Sequence, residues 1–111
     1  MSKIFLTVIL FTAFTYTSLN AAVYKGQREY IKKCRECHKN GQKIAAGYKK
    51  REWKELFDKK GAGLAKLHLD SKDAEKSWKY FKSKKYAKKT KHLKDFMMEY
   101  AKDSGNVPAC D

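Results

Sequence analysis

After residue 22, apolar side chains recur at the three- and four-residue spacing that places them on one face of a helix. The longest such series comprises Leu93, Phe96, Met97, Tyr100 and Ala101. Two shorter series comprise Trp53, Leu56 and Phe57, and Ala74, Trp78 and Phe81. β-Branched residues are scarce in this part of the chain, whereas Lys, Glu, Ala and Leu, which favour helices, are common. The pattern predicts an all-α fold with short connections.

Flanking residues suggest the limits of four helices. The first covers about 26–33 and leads directly into Cys34. The second ends near Gly61, and the third begins near Asp70 or Ser71, either of which is a suitable N-cap. The fourth covers about 91–103, and Gly105 follows it where a helix would stop.

The first 22 residues have the layout of a secretory signal peptide. Lys3 gives a short positive start, an apolar stretch runs from Ile4 to Phe14, and Ala21 and Ala22 are small residues suited to cleavage. The apolar stretch is shorter than the roughly 20 residues of a membrane-spanning helix. We therefore predict a cleaved signal peptide over 1–22 and one exported, soluble domain over 23–111. An uncleaved anchor stays open, because apolar residues continue beyond Phe14.

The charge of the chain is strongly positive. Its 111 residues include 26 Lys and Arg against 12 Asp and Glu, which gives a formal net charge of +14. Such an excess indicates an anionic partner, and nucleic acid, an anionic membrane and an acidic protein surface all qualify. Export argues against nucleic acid. The densest basic stretch, 82–94, is either a solvated face or a docking surface for an acidic redox partner.

One motif carries chemistry. Residues 34–38 read Cys-Arg-Glu-Cys-His, which is a C-x-x-C-H, the attachment signature of c-type haem. Thiols three residues apart, at Cys34 and Cys37, lie on one side of a helical turn and can reach the two vinyl groups of one haem. The adjacent His38 then reaches the iron as proximal ligand. A haem would also supply the apolar volume that so small a domain lacks.

Other interpretations of the two cysteines are weaker. A structural zinc site needs further thiolates or imidazoles at ligand spacing, and Cys110, His68 and His92 are the remaining candidates. A thioredoxin-type redox pair expects a βαβ setting, which the pattern does not predict. A plain disulfide between Cys34 and Cys37 would leave His38 unexplained.

The motif and its flanks resemble the class I monohaem cytochromes c. The first helix of that family typically has a glycine eight positions before the attachment motif and an aromatic residue four positions before it, and Gly26 and Tyr30 precede Cys34 in that way. The resemblance implies a compact helical domain around one covalently attached haem c. It also implies that the last helix crosses the first, with Phe96 or Tyr100 against Gly26.

The sequence differs from that family at the sixth iron ligand. Members of the family usually place a methionine in the loop before the last helix. Here Met97 and Met98 fall inside the predicted last helix, and 83–89 offers lysines and Tyr86. His68, between two leucines, is the first candidate for the metal site beside His38. His92, Met98, a lysine or an open position are the alternatives. Methionine–histidine ligation raises the reduction potential, so the choice affects function.

These observations predict a periplasmic electron carrier that is not an enzyme. It would pass single electrons between respiratory redox partners with acidic surfaces, such as a membrane oxidoreductase, a terminal oxidase or a peroxidase. A haem-based gas binder or small haem enzyme, with an open or weakly held sixth position, is the alternative. Five aromatic residues are expected to wall the haem pocket and the core: Trp53, Phe57, Trp78, Tyr80 and Phe81. A monomer is expected, although Cys110 could join two molecules.

Overall fold

The computed structural model describes residues 21–106, which form helices connected by short turns. The predicted signal peptide, apart from residues 21 and 22, and Cys110 lie outside the described residues, so those two predictions are not addressed. The helices are α1 (21–33), α2 (Arg35–His38), α3 (Gly41–Ala45), α4 (Lys50–Leu69), a 3₁₀ helix (Lys72–Ser77), α5 (Trp78–Phe81) and α6 (Lys84–Glu99). Since residues 21–106 contain no strand, the predicted all-α class is confirmed for them. Within the same range, no helix has the length and apolar character needed to cross a membrane.

Helices α1 and α6 cross in direct contact at Gly26. A β-carbon added to Gly26 would overlap the carbonyl oxygen of His92 and lie 2.8 Å from the β-carbon of Phe96. One turn further along α1, the buried ring of Tyr30 packs against Phe96 at a centroid distance of 5.8 Å. The predicted crossing of the first and last helices is therefore present, with Phe96 as the aromatic residue at the glycine.

The core lies between this crossing and α4. Its buried apolar members are Tyr30, Ala45, Trp53, Phe57, Tyr86, Leu93, Phe96, Met97 and Ala101. Helix α6 supplies four of these nine, and Leu93, Phe96 and Met97 among them belong to the apolar series read from the sequence. Buried aromatic side chains of this size contribute much of the apolar surface removed from water.

Helix α4 is interrupted at Asp58–Gly61. Three successive residues there have positive φ, at 51° for Lys59, 56° for Lys60 and 75° for Gly61. This conformation is unfavourable for lysine, and the buried hydroxyl of Tyr86 stabilises the break by donating to the Gly61 carbonyl at 2.7 Å. The predicted helix end near Gly61 thus corresponds to the break. A second arm, 62–69, follows the first arm, 50–57, and was not predicted.

The limits predicted for the last helix were wrong. Helix α6 begins at Lys84, because the Ser83 hydroxyl accepts from the Tyr86 amide and caps it. The segment 83–89, where a loop ligand was expected, is therefore the start of a helix. At the other end Asp103 is not helical; its carboxylate accepts from the amide of Lys50 at 2.8 Å and so caps the first turn of α4.

The third predicted helix is a 3₁₀ helix followed by α5. Ser71 precedes it as predicted, although the Ser71 side chain makes no capping hydrogen bond. Helix α3, which the apolar pattern did not indicate, begins after Asn40, whose side chain accepts from the amides of Gln42 and Lys43.

Candidate functional site

Two cavities meet beside the C-x-x-C-H motif. The larger has a volume of about 470 Å³ and the smaller about 310 Å³. The residues that line both are Cys34, His38, Leu67, His68 and Phe81. Each volume falls in the range of pockets that hold small molecules and cofactors. The motif therefore lies beside cavities of a size that suits a ligand.

Apolar side chains dominate the wall of the larger cavity. They are Tyr30, Ile44, Tyr48, Trp53, Leu56, Phe57, Leu64, Leu67, Phe81, Leu93 and Met97. Of the predicted aromatic wall, Trp53, Phe57 and Phe81 line the cavity. Trp78 and Tyr80 line neither cavity, so the prediction that they wall the pocket is corrected, although Tyr80 does pack against the core as expected. Trp78 instead donates to backbone carbonyls, and Tyr80 donates to the buried carboxylate of Glu29 at 2.8 Å.

His38 and His68 face each other at the junction of the two cavities. Their ring centroids are 5.8 Å apart and their planes are 80° to one another. Helix α2, continuing from α1, places His38, and the last turn of the second arm of α4 places His68. The residue named from the sequence as the first candidate partner of His38 is therefore beside it in space.

The ring of His68 is held in one orientation. Its Nδ1 lies 2.8 Å from the carbonyl oxygen of Leu64, one turn earlier in α4. Because a carbonyl can only accept, Nδ1 carries the proton, which leaves Nε2 with a free lone pair in the neutral ring. Phe81 stacks on the ring at a centroid distance of 4.2 Å. A bond from the second nitrogen to a carbonyl is the usual way in which proteins orient a metal-binding histidine.

The two motif cysteines have different surroundings. Cys34 is partly buried, and burial raises the pKa of its thiol to about 12, with further contributions from Glu29 and Cys37. Cys37 is exposed. The pKa of His38 is lowered, first by burial and then by His68, so its imidazole is neutral at neutral pH. Neutral imidazole is the form that binds metals.

These residues fit a haem better than a metal ion bound by side chains alone. Within residues 21–106, no group of three or more His, Cys, Asp or Glu is placed to hold a metal ion. A porphyrin supplies four of the six iron ligands itself, so two imidazoles complete the set. Metal–nitrogen bonds are about 2 Å long. The centroids of two imidazole rings bound to the same metal ion are therefore separated by a distance close to the 5.8 Å between His38 and His68. The apolar wall suits the body of such a ring system.

The alternative sixth ligands are placed less well. His92 and Met98 line neither cavity. His92 lies at the α1–α6 crossing, where its buried Nδ1 has no hydrogen-bond partner in the described structure. Burial and the neighbouring lysines, Lys91 first among them, lower the pKa of His92. Met97, expected to serve in core packing, is buried and also lines the larger cavity.

The residue that orients the ring of His68 was not predicted from the sequence. Leu64 acts through its backbone carbonyl, for which only its position four residues before His68 could have been a signal. Lys33 lines the smaller cavity and Lys43 the larger, which places positive charge at both.

Comparisons of the chain with protein-family models, with curated proteins and with solved structures found no match. The site is therefore interpreted from its own residues.

Proposed function

We propose that this chain binds one haem c and carries single electrons in the periplasm. Cys34 and Cys37 would anchor the haem, and His38 and His68 would be its axial ligands. The observation that carries the proposal is the placement of the two imidazoles, 5.8 Å apart at the junction of two cavities that Cys34 also lines. A C-x-x-C-H motif beside an unrelated cavity would not need a second, oriented histidine.

The protein residues have separate tasks in this proposal. The thiols of Cys34 and Cys37 would supply covalent attachment, and the imidazoles of His38 and His68 would hold the iron. When bound, the haem would supply a one-electron couple between ferric and ferrous iron. The buried side chains of Trp53, Phe57 and Met97 would exclude water from one side of the site. Exclusion of water and axial ligation are the two means by which a protein adjusts the potential of such a couple.

The orientation of His68 favours a carrier over a gas binder. A gas binder or haem enzyme needs an open or easily vacated sixth position. Here the ring of His68 is restrained by the Leu64 carbonyl on one side and by the face of Phe81 on another. A restrained ligand changes little between oxidation states, which keeps electron transfer free of slow rearrangement.

The positive charge supports an acidic redox partner. Lys33 and Lys43 line the cavities, so part of the excess charge lies beside the site itself. A positive surface there would steer the carrier toward an acidic oxidoreductase and would raise the encounter rate. Association rates should therefore fall as salt is added.

Covalent attachment is the direct test of the proposal. The chain is expressed with export and haem maturation, and its mass is measured under denaturing conditions. Wild-type protein should retain one haem, and Cys37→Ser should retain haem through one thioether at most. Cys110→Ser is the matched control, because it removes a thiol outside the motif and should leave attachment unchanged. Absence of haem from denatured wild-type protein, or normal attachment in Cys37→Ser, would contradict the proposal.

A further inference from the structure

We propose that Trp78 is a positioning residue for the sixth ligand, fixing the backbone turn that holds His68. This inference rests on the proposed haem ligation and extends it to a residue that touches neither cavity. The indole Nε1 of Trp78 donates to the carbonyl oxygen of His68 at 2.8 Å. The same N–H lies 3.2 Å from the carbonyl oxygen of Ser71, so it is shared between two acceptors.

The indole of Trp78 binds the backbone of His68 at the end of a helix. His68 is in the last turn of α4, which ends at Leu69, and the carbonyls of a last turn find no amide donor within their own helix. The Ser71 amide reaches the His68 carbonyl at 3.2 Å, and the indole of Trp78 supplies the shorter bond. Trp78 therefore joins the end of α4 to the start of α5 at the residue that carries the imidazole.

One short helix thus contacts His68 at two points. Trp78 and Phe81 are the first and last residues of α5. Trp78 holds the backbone of His68, and Phe81 stacks on its ring at 4.2 Å. The third restraint, the bond from Nδ1 to the Leu64 carbonyl, depends on the same turn of α4 keeping its shape. A change in the backbone at His68 would therefore alter the ring orientation directly.

Trp78 is not explained by core packing. It is half-buried and lines neither cavity, whereas the buried Trp53 lines the larger one. The side-chain ammonium groups of Lys72 and Lys82 lie about 6 Å from the centre of the Trp78 ring system. Cation–π contacts at exposed sites are weak, so the indole N–H is its most specific interaction.

Trp53 provides a matched control within the same molecule. Its indole Nε1 also donates to a backbone carbonyl, that of Ala45, at 2.7 Å. Trp53→Phe and Trp78→Phe therefore delete the same N–H and the same part of the ring system. They differ in whether the lost bond ends at the ligand-bearing residue.

The test compares both variants as mature haem proteins. In reduced Trp78→Phe, carbon monoxide should bind roughly tenfold faster than in wild type, because one hydrogen bond that holds the ligand is lost. Hydrogen exchange at the amides of Asp70 and Ser71 should also accelerate, a readout that does not depend on iron. Trp53→Phe should lower thermal stability and leave the exchange rates of the Asp70 and Ser71 amides at wild-type values; because Trp53 lines the larger cavity, it serves as a control for amide exchange only.

A second variant separates the loss of the hydrogen bond from the loss of side-chain packing. Replacing Trp78 by benzothienylalanine keeps the ring volume and removes only the donor, and it should reproduce the tenfold effect. Wild-type rates of carbon monoxide binding and of amide exchange in both Trp78 variants would overturn the inference. If His68→Ala still opened the iron in that case, the proposed ligation would stand without it. Equal acceleration of exchange at the Asp70 and Ser71 amides in Trp53→Phe would also overturn the inference, since the effect would then be a general loosening of the fold.

Discussion

The α1–α6 crossing and the His68 wall, which comprises the second arm of α4 (62–69) and α5, are held together by different forces. At the crossing, Gly26 allows the two backbones to touch, and Tyr30 and Phe96 are buried against each other. On the His68 wall the side chains of His68 and Trp78 are half-buried, and hydrogen bonds to backbone carbonyls fix them. The crossing therefore stabilises the fold, whereas the wall holds the imidazole that is proposed as the second iron ligand. Substitutions at the crossing should reduce the free energy of unfolding. Substitutions on the His68 wall should change iron ligation in a protein that remains folded.

The largest expected effect is that of Gly26→Ala. The added methyl group would overlap the His92 carbonyl oxygen, which is backbone and cannot rotate away. Separating the two helices should reduce the free energy of unfolding by about 3 kcal/mol, at the upper end for overpacked sites. Denaturant unfolding of the mature wild-type and variant proteins measures this difference in the free energy of unfolding.

Gly47→Ala is the control for that substitution. Gly47 lines the larger cavity, and a β-carbon there would have the Ile44 carbonyl oxygen as its nearest neighbour at 3.1 Å. Its cost should be about 1 kcal/mol or less. An equal loss of stability in both variants would mean that the helices pack no more tightly at Gly26 than the chain does at Gly47. That result would contradict the proposed difference between the crossing and the His68 wall.

A smaller effect is expected at the motif cysteines, which lie where the crossing and the His68 wall meet: the two thiols should differ in their rates of alkylation. In haem-free protein made without export, burial keeps the Cys34 thiol protonated until the pH approaches about 12. Since the thiolate is the reactive form, an alkylating reagent at pH 8 should label the exposed Cys37 first. Peptide mass spectrometry assigns the label. Faster labelling of Cys34 would show that it does not pack against the core before haem is attached.

The smallest effect is expected for Lys66→Ala on the outer side of the His68 wall. Lys66 pairs with Asp70 at 2.7 Å, and both side chains are largely exposed, at 76% and 63%. Exposed pairs of this kind contribute little to stability. Neither the melting temperature nor the rate of carbon monoxide binding should change. A change in the rate of carbon monoxide binding would show that the Lys66–Asp70 ion pair helps to hold His68 in position.

The crossing was predictable from the sequence because its signals are local and strong. Gly26 and Tyr30 stand at fixed distances before the C-x-x-C-H motif, and the apolar series of α6 identifies its buried face. The early start of α6 was missed because lysines hide the pattern there. Tyr86 and Thr90 extend the buried face by i, i+4 spacing, which the apolar series did not include.

The His68 wall was only partly predictable. His68 could be named as a candidate ligand because it lies between Leu67 and Leu69, but its contact with His38 depends on the break in α4. That break places two lysines in left-handed conformations, which residue preferences argue against. It is stabilised by Tyr86, a residue distant in the chain. Long-range hydrogen bonds of this kind leave no periodic signal in the sequence.

The most direct test of the account is the visible spectrum of the mature, dithionite-reduced protein before and after carbon monoxide is added. Wild type and His92→Ala should give the low-spin spectrum of a haem with two protein ligands and should not respond promptly. His68→Ala should shift at once, because its sixth position is open. A prompt shift in wild type, or a spectrum of His68→Ala that carbon monoxide leaves unchanged, would contradict ligation by His38 and His68.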